Sequence, residues 1–118
     1  MSDNAKFVLV RVAGYDQASL ALEDDEKTWS EFRNRIEKTI AILEKSSAKD
    51  FEGKDGVEVS LFGGKYKFSA PDYVRNFALP NFYFHFTTAY DLLRMKGVPI
   101  GKVDFLAGHQ LATTGNAQ

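Results

Sequence analysis

The clearest hydrophobic pattern in the sequence is that of an amphipathic helix. Apolar residues recur at spacings of three and four, the period of one helix face: Trp29, Phe32, Ile36, Ile40 and Leu43. Thr28 and Glu31 stand at the spacing of a capping box at its start. The pattern predicts a helix over residues 29–45 with one apolar stripe. The predicted solvent side carries Arg33, Arg35, Glu37 and Lys38.

Strict alternation replaces the helical period further along the chain. The alternating apolar positions are Val57, Val59, Leu61, Tyr66 and Phe68. They predict a β-hairpin over residues 57–68, with its turn at Gly63-Gly64. A hairpin of two strands is marginally stable by itself, so we expect it to pack on the helices.

Two more helices are predicted after the hairpin. Ser69 is a suitable cap for a helix over residues 70–78. Pro80 has no backbone N–H and restricts the residue before it, so we expect a break or a kink there and a new helix over residues 80–96. The apolar arc of that last helix is wider than the remaining elements can enclose. We therefore expect a missing segment or a second copy of the chain to cover it.

The start of the chain is ambiguous. Valines at alternate positions within residues 5–13 favour a strand. Gly14 is typical of the residue that ends a helix, so a short helix is the competing interpretation. The pattern does not decide between the two.

Composition narrows the classes of function. The 118 residues have the size of one domain, and 15 basic residues balance 16 acidic ones. Because nucleic acids and anionic membranes bind clustered cations, neither is a predicted partner. The absence of cysteine excludes disulfides and thiolate ligands. The sequence contains no signal-peptide core and no apolar run of about 18 residues, which predicts a cytoplasmic protein.

Several short motifs carry a family resemblance. The run LPNFYFH at residues 79–85 is followed by TTAYDLLR at 87–94 and GVPIGK at 97–102. With the stretch 23–43, this segment resembles the domain-of-unknown-function family numbered nineteen-ninety-three. That family belongs to the DinB/YfiT-like four-helix-bundle superfamily.

The resemblance implies a mainly α fold, a partial DinB-like helical bundle with a β-hairpin inserted between the last two long helices. It favours a helix over residues 5–13. It also implies one incomplete domain over residues 1–107, followed by a flexible polar tail over 108–118. Since a complete bundle needs four helices, the first helix and most of the second would lie before Met1, and we expect an N-terminally truncated chain.

The resemblance also raises the question of a metal. Much of the superfamily binds a divalent metal through three histidines, two of them one turn apart on the last helix. His85 is the position that could match one ligand, but its neighbour at the next turn is Ala89. His109 lies in the predicted tail. No metal site is therefore predicted. The alternative interpretation is that the protein binds a divalent metal such as zinc or nickel.

The last helix also carries candidate ligand-binding residues. They are Asn81, Phe82, His85, Phe86 and Tyr90. The competing interpretation assigns the rings to the core and the polar groups to helix capping. No serine or threonine has a histidine and an acid at a recognisable spacing, so no catalytic residue is predicted.

Three hypotheses about function follow. The first is a non-catalytic DinB-like bundle that buries a small apolar ligand. The second is a metal-dependent transferase or hydrolase with a degenerate metal site. The third is a structural role, in which the half-bundle forms a homodimer and rebuilds a four-helix core.

Overall fold

The computed structural model describes residues 1–53 and 56–106. These residues are mainly helical and carry a β-hairpin between helices, as predicted. They form two compact units, of which the first is Met1–Phe84 and the second begins at His85. The predicted tail over 108–118 lies outside the described residues. The single-domain boundary at 1–107 stays a prediction.

The N-terminal segment is helical, so the strand interpretation was wrong. Helix α1 comprises Ser2–Val8 and continues as a π-helical segment over Leu9–Ala13. Gly14 ends it at φ 78°, a left-handed conformation that glycine adopts without steric cost. Leu9 and Val12, three residues apart, are 2% and 3% exposed. Burial of one helix face overrides the β propensity of the valines.

Helix α2 begins at the predicted cap. It comprises Trp29–Glu44 and follows a loop with a 3-10 turn at Ala18–Leu20. The Glu31 backbone N–H donates to Thr28 Oγ1 at 3.2 Å, and the Thr28 N–H donates to Glu31 Oε2 at 2.8 Å. These two bonds satisfy N–H groups that the first turn of a helix cannot pair internally, and the capping box is confirmed.

Helix α2 turns a polar face, and not its apolar stripe, toward α1. Arg35 is 9% and Thr39 7% exposed, whereas Ile36 is 47% and Ile40 49% exposed. The prediction that Arg35 faces solvent is therefore wrong. The physical reason lies in α1, whose first turn is polar: Ser2 Oγ lies 2.7 Å from Thr39 Oγ1. Since each residue turns about 100° around the helix, polar contact on one side leaves the stripe uncovered.

The hairpin follows a 3-10 turn at Ala48–Phe51. Strand β1 comprises Val57–Leu61 and strand β2 comprises Gly64–Phe68, in antiparallel register. Leu61 pairs with Gly64, so the turn residues are Phe62 and Gly63, one position before the predicted pair. Both have positive φ, 49° and 78°. Two such residues fit the turn that the right-handed twist of the strands requires.

The helical segment after the hairpin is continuous. Helix α3 comprises Ala70–Tyr73, a π-helical segment spans Val74–Ala78, and helix α4 comprises Leu79–Met95. A break at Pro80 is therefore wrong, whereas the alternative of a kink there stays a prediction. In a regular α-helix, a proline lacks the N–H that would bond to the carbonyl four residues earlier, and its ring clashes with that carbonyl. The wider π-helical turn before Pro80 interrupts this pattern of hydrogen bonds. Helix α5 comprises Lys102–Leu106.

The core of the first unit forms where the hairpin meets the two π-helical segments. Its buried residues are Val12, Val57, Val59, Ala70, Tyr73 and Ala78. Tyr73 is 1% exposed, and its ring stacks on that of Phe77 with centroids 5.6 Å apart. Its hydroxyl accepts a hydrogen bond from Arg11 Nη1 at 2.9 Å, which satisfies the polar end of a buried ring.

The capping box generates a stability prediction. Substitution of Thr28 by Ala removes the side-chain acceptor for the Glu31 N–H, so we expect the free energy of unfolding to fall by about 1 kcal/mol. Urea denaturation followed by circular dichroism measures it. Ser30→Ala, in the exposed first turn of the same helix, is the control and should change stability by less than about 0.5 kcal/mol. Equal losses in both variants would contradict the capping role.

Candidate functional site

The candidate ligand-binding residues divide between the two compact units. Asn81 and Phe82 belong to the first, whereas His85, Phe86 and Tyr90 belong to the second. In the first unit Asn81 is half-buried, and Phe82 meets Tyr83 edge-on at a centroid distance of 5.7 Å.

In the second unit, two of the candidate residues pack against an aromatic ring of α5. The Phe105 ring lies 5.0 Å from that of Phe86 and 5.3 Å from that of Tyr90. The Tyr90 hydroxyl donates a hydrogen bond to the Gly101 carbonyl oxygen. Burial is the main cause that raises the pKa of Tyr90. These contacts are typical of core packing, and the ligand-binding role of the five residues stays a prediction.

His85, the weak metal candidate, lies on an exposed part of α4. Within residues 1–53 and 56–106, the structure brings together no group of three or more His, Cys, Asp or Glu side chains suited to a metal ion. His109 lies outside the described residues. In those same ranges, no helix is both long enough and apolar enough to cross a membrane.

An ion cluster with buried cations joins α1, the loop before α2, and α2 itself. Its cations are Lys6, 3% exposed, and Arg35, 9% exposed. Its anions are the carboxylates of Asp3, Asp24 and Glu26. Buried cations are stable only when paired and hydrogen-bonded, and here both are.

The Arg35 guanidinium uses both of its terminal nitrogens. Nη1 donates to Glu26 Oε1 at 2.8 Å and to the Glu23 backbone carbonyl at 2.5 Å. Nη2 lies 2.7 Å from Asp24 Oδ1 and 3.7 Å from Asp3 Oδ1. One side chain of α2 therefore holds the acidic loop and reaches the first turn of α1.

Lys6 and Thr39 add further polar contacts to the arrangement. Lys6 Nζ lies 3.0 Å from Asp3 Oδ1 and donates to the Leu20 carbonyl at 2.8 Å. The Thr39 hydroxyl donates to the Arg35 carbonyl at 2.8 Å, within α2. Between the two helices themselves, the polar contacts are those of the first turn of α1, from Ser2 to Thr39 and from Asp3 to Arg35.

The hydrogen bond between Glu26 and Arg35 shifts the pKa of both groups. It is the main cause that lowers the pKa of Glu26 and the main cause that raises the pKa of Arg35. Both shifts favour the charged forms. The cluster is therefore electrostatically matched, and its carboxylates are already engaged by protein cations.

Sequence reasoning missed this cluster because the helical period placed Arg35 on the solvent side of α2. The signal that could have found it is the run of four acidic residues, Glu23–Glu26, followed by Arg35 two turns into the next helix. A folded-back loop brings such residues together, but the sequence does not show that the loop folds back.

Two clefts lie beside the cluster. The smaller one, about 170 Å³, is lined mainly by apolar residues: Phe7, Val10, Leu20, Ala21 and Leu22, with Asp3, Lys6 and Gln17. The larger one, about 420 Å³, is polar and includes Glu23, Asp25 and Lys38 in its lining. Leu22 lies in both linings, so an apolar cleft adjoins an acidic surface.

Comparison with known proteins now identifies the family. The family described as Domain of unknown function (DUF1993) matches residues 1–106. The crystal structure of a DinB family member protein from Shewanella denitrificans is similar, with 35% sequence identity and a TM-score of 0.74. The match covers 90% of this chain and 60% of that one. No curated protein matches the chain.

The fold is thus a DinB-like helical fold, and the chain belongs to the DUF1993 family. The chain spans about 60% of the length of the solved DinB family protein. The family and fold therefore agree with the resemblance that the motifs of α4 carried.

Removal of the central arginine is a direct test of the cluster. We expect Arg35→Ala to lower the free energy of unfolding by about 1–3 kcal/mol, because the charge-assisted bonds to Glu26 and Asp24 are lost. Chemical denaturation measures the change. Arg33→Ala, on an exposed position of the same helix, should cost no more than about 0.5 kcal/mol. A loss at Arg35 no greater than at Arg33 would refute the structural importance of the cluster.

The same cluster predicts an acid-sensitive stability. The pKa of Glu26 is lower in the folded chain than the value of about 4.3 that an unfolded chain has. As pH falls, the unfolded state therefore takes up the proton first. The stabilisation that Glu26 contributes to the folded state is present above about pH 4.3 and is lost as the pH falls through the pKa of the folded state.

We expect Glu26→Gln to reduce the loss of stability between about pH 6 and about pH 3, measured by urea denaturation at each pH. Part of the dependence should remain, since hydrogen bonds from backbone N–H groups also lower the pKa of Glu31 and of Asp50. Glu37→Gln, at an exposed position of α2, is the control. An unchanged pH profile in Glu26→Gln would show that this carboxylate does not contribute.

Proposed function

We propose that this protein is a non-catalytic helical domain that forms a homodimer through the apolar stripe of α2. The observation that carries the proposal is the exposure of that stripe. Trp29 is 74% exposed, Phe32 41%, Ile36 47% and Ile40 49%. Contiguous exposed apolar surface of this kind is typical of protein interaction sites.

Two side chains of the stripe contact each other, and the rotation of α2 is fixed. Trp29 and Phe32 stack on each other with ring centroids 5.8 Å apart, although both remain exposed. The ion cluster on the adjoining face fixes the rotation of α2, because Arg35 is held by several partners. Little further ordering of α2 is therefore needed on association, which lowers the entropic cost of binding.

A second copy is the partner we propose. Full burial of an isoleucine or phenylalanine contributes about 1.5–3 kcal/mol, and each copy would bring the same stripe to a two-fold interface. The net charge of −1 gives the two copies little long-range repulsion.

The other two hypotheses have less support from the geometry. An apolar ligand on α4 would need Phe86 and Tyr90, whose rings already pack on Phe105. A metal-dependent reaction would need a set of ligands, and the carboxylates around Arg35 are engaged with cations. Neither hypothesis explains the exposure of α2.

The dimer is testable by sedimentation velocity across micromolar concentrations. We expect the unsubstituted protein to sediment as a dimer, and Ile36→Gln combined with Ile40→Gln to sediment as a monomer. Both positions are half-exposed, so helix content should stay unchanged by circular dichroism.

Glu37→Gln combined with Lys38→Gln, on the exposed polar side of the same helix, is the matched control and should remain dimeric. A monomer at all micromolar concentrations for the unsubstituted protein would overturn the proposal. If that monomer took up an apolar fluorescent probe, and the two isoleucine substitutions abolished the uptake, the stripe would instead bind small apolar ligands.

A further inference from the structure

The tip of the hairpin combines two unusual features in one residue. Phe62 is 95% exposed, the greatest exposure among the large apolar residues that the structure describes. It also has φ 49°, in the left-handed region that a bulky side chain rarely occupies. Asn, Asp or Gly would suit this turn position better. The ring therefore contributes nothing visible to the fold while its backbone is strained, and such strain points to a role in binding.

The surface around the tip is basic. Lys65 is 75% and Lys67 84% exposed on the strand that leaves the turn. Both face the carboxylate of Glu58, at 3.4 Å and 4.0 Å. Two lysines against one glutamate leave a net positive charge beside the exposed ring.

The apolar cleft beside the ion cluster has complementary properties. Its volume is about 170 Å³, and a cavity of about 150 Å³ is large enough to hold a benzene molecule. Phe7, Val10 and Leu20 are among its lining residues. Asp3 and Lys6 also line this open cleft, so a phenyl ring that entered it would contact apolar side chains beside an ion pair.

The surface next to that cleft carries acidic side chains, together with Lys38. Leu22 connects it to the adjoining cleft, whose lining includes Glu23 and Asp25. Asp24 and Glu26 in the same run are engaged by Arg35. Glu23 and Asp25 have exposed side chains and thus carry the negative charge that would face the lysines of a hairpin tip.

We propose that the Phe62 ring of one copy inserts into this apolar cleft of a second copy, with Lys65 and Lys67 facing Glu23 and Asp25. The inference rests on the proposed homodimer and adds a second contact to it. A stable interface buries about 800 Å² per partner and involves about 20–30 residues on each side. The five residues of the α2 stripe fall short of that number, so a dimer needs further contact surface.

The substitution Phe62→Asn separates binding from folding. It removes the ring and supplies a residue that the turn favours, so the unfolding temperature should stay the same or rise. The dimer dissociation constant, measured by sedimentation equilibrium, should rise by about tenfold or more. Phe62→Tyr is the matched control, because it keeps a ring in the same strained position and should keep the dissociation constant within about threefold.

Charge reversal tests the orientation of the contact. Lys65→Glu with Lys67→Glu should weaken the dimer, and so should Glu23→Lys with Asp25→Lys. Mixing the two variants should restore association, because each tip then meets a rim of opposite charge. Failure of the mixture to associate more tightly than either variant alone would overturn the proposed pairing.

The outcomes distinguish this inference from the proposed function. If the α2 substitutions give monomers while Phe62→Asn leaves the dissociation constant unchanged, the tip contact is refuted and the α2 interface stands. If Phe62→Asn dissociates the dimer and the α2 substitutions do not, the α2 interface is refuted and the tip contact stands. A protein that is monomeric throughout the micromolar range refutes both.

Discussion

The ion cluster around Arg35 determines which way α2 faces, and most of the surface properties of the first unit depend on that orientation. A guanidinium that meets Glu26 at 2.8 Å and Asp24 at 2.7 Å fixes both the helix and the loop before it. The cluster lies on the side of α2 that approaches α1. Polar contacts thus occupy the place where an apolar seam is usual between two helices.

The consequence is that the apolar surface of α2 is directed away from the core. Hydrophobic burial in this unit is concentrated elsewhere, where the hairpin meets the two π-helical segments. The groups that hold the fold of this unit are therefore separate from the large apolar groups that α2 exposes. Substitutions in the α2 stripe should therefore leave the packing of the buried residues around Tyr73 unchanged.

Elements with a local signal were the ones that the sequence predicted well. Thr28 and Glu31 cap α2 through atoms only three residues apart, and the alternation around Val59 fixes the hairpin register with Tyr66. Both follow from short-range chemistry. The turn was misplaced by one residue because Gly63-Gly64 is a better turn sequence than the Phe62-Gly63 that the strand pairing requires.

Features that depend on tertiary contact were not predictable in the same way. The burial of Arg35 requires a loop that folds back over α2. No periodic pattern in the sequence indicates that the loop takes this course. The continuous helix through Pro80 depends on the wider turn at Val74–Ala78. The candidate ligand-binding residues lie on α4, but the sequence could not show that Phe86 and Tyr90 have Phe105 as a neighbour.

The π-helical segment at Val74–Ala78 has a consequence for how this family is compared at the level of sequence. Its hydrogen bonds join residues five apart, so the segment holds one residue more than a regular α-helical path would need. Loss of a single residue here would let the backbone return to the α-helical ladder and would turn Leu79–Phe84 by about 100° around the helix axis. A one-residue gap at this point of an alignment therefore marks a change in the direction in which side chains face, and not a difference in loop length.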